Sequence, residues 1–428
     1  MLEYRLETMS ARDREAVLSR GDTALDDTLA DVKKIIESVR AGGDSSLKAY
    51  AREFDGYTGG TLAAPAKDIR DSAKKVPSGI INALSMSRTR IEKFHSRQSP
   101  KPFKYNDDVG IFGQMVVPLD RVGVYVPGGT ASYMSSVLMA CIPARLAGVK
   151  SIAICTPGKQ GRVPAEILAA AEMCRVREIY PIGGAHAIAA LAYGTESIRR
   201  VQKIVGPGGA FVSAAKLLVR NDCEIDFLAG PSEVLIIADS GASPELIARD
   251  MLAQLEHDPL ARAVLVTSSS RTARETEAFL VGLISTARRK SIASKAAERG
   301  AIFIVTRNMK DALVFANEYA PEHLLIDTEK PEAVLSEVRN AGSVFLGSNS
   351  SVVFGDYCSG TNHILPTMGV AAVKSSLSVY DFLKIIPYQN LSVKGAVKLS
   401  KVVDILARAE GLPAHADAAI ARRTKKVK

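Results

Sequence analysis

The sequence contains no tryptophan, only five cysteines and only six histidines in 428 residues. The cysteines, Cys141, Cys155, Cys174, Cys223 and Cys358, are scattered and form no C-x-x-C pair. That argues against a disulfide framework and a cysteine-rich zinc site, and it fits thiols kept reduced. No uncharged apolar run approaches the ~20 residues that span a bilayer. The longest candidate, VLMACIPARLAGV, is interrupted by Arg145. The start, MLEYRLETMSARDRE, is too charged for a signal peptide, so the expected location is the cytoplasm, with no membrane partner. There is no long repeat and no linker rich in Gly, Ser or Pro.

What is present is ample core material. Hydrophobic residues make up 47% of the chain, and its length suggests two to four domains. The formal charge is +9, and the tail ARRTKKVK supplies part of it. That tail reads as a frayed, solvated end. The body mixes both signs and lacks basic runs interleaved with aromatics, so no nucleic-acid partner is expected. A mildly positive surface still attracts anionic ligands such as a dinucleotide.

Residues 1–120 read mostly as helix. DDTLADVKKIIESVRAGG has helical spacing and stops at a Gly pair. From RVGVYVP onward, strands alternate with helices through SIAICTP, EIYPIGG and KIVGPGG to VLIIAD, the pattern of parallel βαβ units. Pro143 implies a kink or break in its helix. Ligands of such sheets bind beyond the strands' carboxyl ends, where Gly128-Gly129, Gly183-Gly184 and Gly206–Gly209 lie. None is a G-x-G-x-x-G, and each is open to reading as a close approach to phosphate or as an ordinary tight turn. A second αβ series runs from SPELIARDMLAQLEHDP to SVFLGS, and from about 378 the chain looks helical.

Histidine is rare, and apart from His95 each one sits in an unusual local setting. Gln254 and His257 lie three apart on one helix face, either as metal ligands or as a polar helix end. The tight loop GDYCSGTNH offers Asp356 and His363, and AEGLPAHA offers Glu410 and His415. In YAPEHL, Glu322 and His323 are adjacent at the mouth of a strand. A carboxamide, two imidazoles and a carboxylate suit Zn²⁺ or a similar divalent metal. Their wide separation in sequence favours an open site over a structural clip.

The segments RVGVYVPGGTASY, GGAHAIAALAYGTES, KIVGPGG, DFLAGPSEVLIIAD, AQLEHD, YAPEHL, AGSVFLG, GDYCSGTNH and AEGLPAHA, in this order, resemble histidinol dehydrogenase over nearly the whole chain. The resemblance implies an α/β fold with two Rossmann-like parallel-sheet domains. Its expected parts are a helical arm (1–19), a larger domain (20–123 and 238–377), an NAD-binding domain (124–237) and a helical tail (378–428) exchanged in a dimer. It also implies oxidation of L-histidinol to L-histidine by NAD in two steps. Glu322 and His323 would be the acid–base pair, and Gln254, His257, Asp356 and His415 would bind one Zn²⁺. Ser232, His363 and Glu410 would contact substrate together with the metal set and His323. Tyr125, His186 and Gly209 would contact NAD. Glu410 and His415 would come from the partner subunit of a homodimer.

The family usually has Gln where this chain has His186 and Asn where it has Gly209. Its tyrosine–proline pair is here Tyr133-Met134, and its GPNH is Gly360-Thr361-Asn362-His363. These departures touch the cofactor grip, so NAD is expected with altered affinity. The alternative is a paralogue on the same scaffold that oxidises another small alcohol, such as dihydroxypropanesulfonate. A non-enzymatic relative is disfavoured because every metal and acid–base position is intact.

Overall fold

The strand sequences EVLIIA, RAVLVT, AIFIV and HLLID are apolar nearly throughout, as strands covered on both faces must be. In chain order the strands are β1 Leu2–Arg5, β2 Phe103–Asn106, β3 Gly110–Pro118, β4 Arg121–Tyr125, β5 Ser151–Cys155, β6 Glu178–Tyr180 and β7 Lys203–Val205. They continue as β8 Glu224–Ile225, β9 Glu233–Ala238, β10 Arg262–Thr267, β11 Ala301–Val305, β12 His323–Asp327, β13 Ser343–Leu346 and β14 Leu383–Leu391. This computed structural model describes residues 1–20, 25–128, 132–158 and 161–423. Gly129 and the end of the basic tail lie outside the described residues. The chain divides into a unit of residues 1–98 with 120–382 and a unit of 99–119 with 383–428.

The first unit holds two parallel sheets. One has six strands in the order β1-β11-β10-β9-β12-β13. Alternation sends Val234, Ile236 and Ala238 to a core on one face, and Leu235 and Ile237 to a core on the other. Each fully buried Leu or Ile contributes about 1.5–3 kcal/mol relative to exposure. The other sheet has the order β6-β5-β4-β7-β8. The connections reverse direction between β4 and β7, so the crevice expected for a ligand opens at the carboxyl ends of those two strands.

The second unit pairs β14 antiparallel with β3 along nine residues, from Leu383 opposite Pro118 to Leu391 opposite Gly110. Helices Val393–Ala409 and Pro413–Ile420 follow. A helical tail from 378 is thus corrected. β14 finds its hydrogen-bond partner far away in sequence, and its edge position tolerates Pro387. The same pairing accounts for strands where residues 1–120 read as helix, and β1 adds parallel to β11 rather than forming a purely helical arm.

The structure also differs from the expected allotment of segments. β9, expected to close the NAD-binding domain, lies in the middle of the six-stranded sheet, and the boundary at 123/124 cuts β4. Helix Leu25–Phe54 packs its Val32, Ile36, Val39 and Leu47 with Ile188, Leu191 and Ala214, so it covers the five-stranded sheet rather than the larger domain. Its Gly pair does interrupt it: Gly43 has φ 51° and ψ −134°, and the helix resumes afterwards.

Helix Met134–Ala147 runs through Pro143 without ending. Proline lacks the N–H that would bond the carbonyl of Met139. The side chain of Asn362 donates to that carbonyl instead, at 2.8 Å.

The turn after β7 is held tightly. A fully buried Lys216–Asp226 pair grips both backbone groups of Gly206: Lys216 Nζ donates to its carbonyl at 2.8 Å, and its N–H donates to Asp226 Oδ2 at 2.8 Å. Gly206 has φ 113°, and a Cβ there would lie 2.1 Å from the carbonyl oxygen of Tyr125. Gly206→Ala is therefore expected to lose about 2–4 kcal/mol from backbone strain and overpacking, read as a lower melting temperature.

Candidate active site

Glu322 and His323, the expected acid–base pair, stand at the amino end of β12. Helix Met309–Tyr319 ends in Ala320, whose left-handed backbone (φ 49°, ψ 64°) turns the chain through Pro321 into Glu322 and His323. His323 lies opposite Val234 of β9. This register brings Glu233 against the pair. Its backbone N–H donates to Glu322 Oε2 at 2.8 Å, and its carbonyl lies 3.0 Å from His323 Nδ1. A carbonyl only accepts, so Nδ1 carries a proton and Nε2 is the atom left to exchange protons. Nε2 is buried, has no hydrogen-bond partner and lies 3.5 Å from Asp356 Oδ1.

The electrostatics follow from burial and paired carboxylates. Burial raises the Glu322 pKa, and His323 only partly opposes it. For His323, burial favours the neutral ring, but Glu322 and Asp356 outweigh burial and raise its pKa well above the usual value. Burial would raise Asp356, yet His323, His363 and His257 bring it below the carboxylate norm.

Asp356 sits on helix Val352–Tyr357 after β13. The hydroxyl of Ser351, which precedes that helix, bonds Asp250 on helix Pro244–Leu255. One turn beyond Asp250 is Gln254, buried, with its Nε2 unpartnered. His257 follows. It is exposed by area, but its ring is crowded enough that desolvation lowers its pKa, against the pull of Asp356. Ser232 is half-buried just before β9. The structure brings His257, Glu322, His323, Asp356 and His363 within electrostatic reach of one another, and Ser232 and Gln254 belong to the same unit, with the strand-borne residues at the amino edge of the six-stranded sheet.

Glu410 and His415 belong to the second unit. Glu410 caps helix Val393–Ala409, His415 lies in helix Pro413–Ile420, and both are exposed. Among the described residues, no three His, Cys, Asp or Glu side chains are arranged to hold a metal ion. The expected set depends on an amide and on His415 as well. A carboxamide oxygen, an imidazole and a carboxylate remain a fitting zinc donor set, and the side chain of Gln254 is buried with its Nε2 making no hydrogen bond that would hold the amide elsewhere.

His363 connects the two sheets. Its Nδ1 donates to the carbonyl of Asp356 at 2.7 Å, so Nε2 accepts from the hydroxyl of Ser136 at 3.0 Å, on the helix that follows β4. Ser136 escaped the sequence reading, which took that segment only as a glycine turn and helix. His95, passed over as unremarkable, also supports this loop. Its Nε2 lies 3.3 Å from the Asn362 amide, and its Nδ1 is 2.6 Å from Gln98 Oε1.

The expected NAD contacts divide. Gly209 starts helix Ala210–Val219 beside the β4/β7 crevice, is exposed, and has open space where a Cβ would stand. Tyr125 ends β4, but its ring is buried, its oxygen accepts from the N–H of Gly184 at 3.1 Å, and burial pushes its phenol up to about 12. His186 is corrected. It is 2% exposed, its Nε2 is 2.7 Å from Asp55 Oδ2, and its ring packs against those of Tyr50 and Phe54. It follows β6, two strands from the crevice, and its side chain is committed to packing helix Leu25–Phe54.

Burial lowers the His95 pKa in the folded chain, against the hydrogen bond that Nδ1 donates to Gln98. The unfolded chain therefore binds that proton first as pH falls. Stability is complete above about pH 6.5 and declines below it by up to about 1.4 kcal/mol per pH unit until the folded value is reached. Melting curves between about pH 7.5 and 5.5 are expected to show this decline, and His95→Leu to flatten it.

Known proteins resemble the chain over nearly its whole length. The family model for histidinol dehydrogenase matches residues 18–423. The histidinol dehydrogenase of Methanothermobacter thermautotrophicus is 47% identical over 403 residues, covering 94% of this chain and 95% of that protein. That of Listeria monocytogenes is 44% identical over 390 residues, covering 91% of each. The crystal structure of histidinol dehydrogenase from Elizabethkingia anophelis superposes with a TM-score of 0.94 at 35% identity, covering 99% of this chain and 98% of that one. The chain belongs to the histidinol dehydrogenase family.

Proposed function

We propose that this chain oxidises L-histidinol to L-histidine through L-histidinal, in two NAD-linked steps. The observation that carries this reading is His323, whose Nδ1 is taken by the Glu233 carbonyl while Nε2 is buried, makes no hydrogen bond and faces Asp356 Oδ1 at 3.5 Å. NAD⁺, when bound, would accept the hydride of each step, and Gln254, His257, Asp356 and His415 would hold a Zn²⁺ that would help orient the amino alcohol and draw Asp356 away from His323.

In the first step His323 Nε2 takes the alcohol proton as the aldehyde forms. It then returns that proton to the aldehyde oxygen while Glu322 removes one from an attacking water. The product is the hydrate. Its hydroxyl proton goes again to His323 as the acid forms. Burial that raises the Glu322 pKa makes it a better base for water, and adjacency lets one residue serve each task at one cavity. Ser232, His363 and Glu410 hold the substrate. A cationic, imidazole-bearing alcohol suits these carboxylates and neutral histidines better than a sulfonate, which would call for added Arg or Lys.

The dinucleotide is assigned to the β4/β7 crevice, beside Gly209 and the end of β4 at Tyr125. No helix among the described residues is long and apolar enough to cross a membrane. Four of the five cysteines are buried free thiols, which fits a reducing, cytoplasmic setting.

The homodimer reading draws on the second unit. Ile385, Ile386, Tyr388, Ile405 and Leu406 are exposed in the single chain, apolar surface of the kind that a partner subunit covers. Glu410 and His415 stand in the same unit and would complete the other subunit's site.

Zinc-loaded protein is expected to yield two NADH per L-histidinol at completion. His323→Gln should lower kcat by about 10²–10⁴. Glu322→Gln should slow the second step more than the first, so that the aldehyde becomes trappable. No NADH from L-histidinol, with another small alcohol oxidised, would favour the paralogue. The shared site has its own test. Mixed His323→Gln and His415→Ala subunits should regain activity, up to about a quarter of wild type after full exchange, because a heterodimer rebuilds one intact site. No recovery despite exchange would place both residues in one subunit's site.

A further inference from the structure

Glu233 is a carboxylate at the start of the central strand of a covered sheet, only 1% exposed. A buried charge there must be paired. Its partner is Arg20, which ends the helix Ala11–Ser19 in a left-handed conformation with φ 59°. Arg20 Nε donates to Glu233 Oε2 at 2.7 Å and Nη2 to Oε1 at 3.2 Å. The hydroxyl of Tyr319 donates to Glu233 Oε2 at 3.1 Å, and the guanidinium lies 3.9 Å over the Tyr319 ring. Arg20 also donates to the carbonyl of Tyr319, and to that of Ala320 at 3.4 Å.

These contacts converge on one place. Tyr319 and Ala320 form the left-handed turn that delivers Glu322 and His323. The Glu233 carboxylate accepts the backbone N–H of Glu322 at 3.3 Å, and its peptide groups hold the Glu322 carboxylate and His323 Nδ1. Resting on the function proposed above, we propose that Arg20, Glu233 and Tyr319 are positioning residues for the acid–base pair. The buried Arg20–Glu233 pair fixes the orientation of Glu322 and the tautomer of His323 without touching substrate. Catalytic competence thereby depends on a residue of the amino-terminal segment, 303 positions from His323.

Three variants of the full-length protein test this. Glu233→Gln keeps the shape and removes the charge, Arg20→Met removes the guanidinium, and Tyr319→Phe removes one hydroxyl. In folded protein, verified by melting above assay temperature, the first two are expected to lower kcat about tenfold or more with KM for L-histidinol within about twofold. The ring N–H proton resonance of His323, identified by its loss in His323→Gln, should shift in both. Unchanged kcat, or a loss only in proportion to unfolded protein, would overturn the proposal, as would an unshifted resonance. If the first two fail to fold, Tyr319→Phe decides: about a threefold lower kcat at constant KM supports positioning, and an unchanged kcat overturns it. A wild type that makes no NADH from L-histidinol overturns the assigned reaction instead, and the resonance then decides the positioning by itself.

Discussion

β9 and β12 run side by side and parallel, with Val234 opposite His323. Their hydrogen bonds bring Glu233 and Glu322, 89 residues apart in the chain, into direct contact. A slip of one residue would turn every side chain of β12 to the opposite face. The register is fixed because both faces are buried: Leu325 packs with Val234 and Ile236 on one, while Leu324 and Ile326 pack with Leu235 and Ile237 on the other. The aliphatic packing of this strand pair thus sets the placement of Glu322 and His323 to within hydrogen-bond tolerance.

The two sheets use opposite ends. Glu322 and His323, to which acid–base chemistry is assigned, stand at the amino edge of the six-stranded sheet. The crevice assigned to the dinucleotide lies at the carboxyl edge of the five-stranded one, where the connections reverse. The helix after β4 joins them, because its Ser136 meets His363. Asn362 strengthens the same junction by occupying the carbonyl that Pro143 leaves free.

Buried polar pairs back three of the turns. Arg20–Glu233 backs the turn at Ala320, Lys216–Asp226 grips Gly206, and His186–Asp55 anchors the turn at Gly183. Removing charges from water costs more than a pair contact alone returns, so such pairs are poor evidence of added stability. Here each is tied to backbone groups of a loop, and the outcome is a defined loop conformation.

The parallel α/β character and the break at the Gly pair of the first long helix were legible because local rules decide them, apolar runs and glycine conformation, although the helix resumes to Phe54 beyond the break. The chemistry-bearing residues were legible as rare types in compact motifs, and Glu322, His323, Asp356 and His363 do come together. The sequence could not show that His186 faces Asp55, because a histidine's partner depends on which helix packs over it. It could not show β14, whose hydrogen bonds run to a strand more than 260 residues earlier. Nor did it reveal Arg20 or Ser136, since neither sits in an unusual local pattern, although a lone Glu in EVLIIA requires a buried cation from somewhere. The amino-acid sequence by itself determined the local elements and the inventory of reactive groups. Tertiary structure alone decided which carboxylate meets which base, because hydrogen bonds and ion pairs act over a few ångströms between residues that the chain keeps far apart.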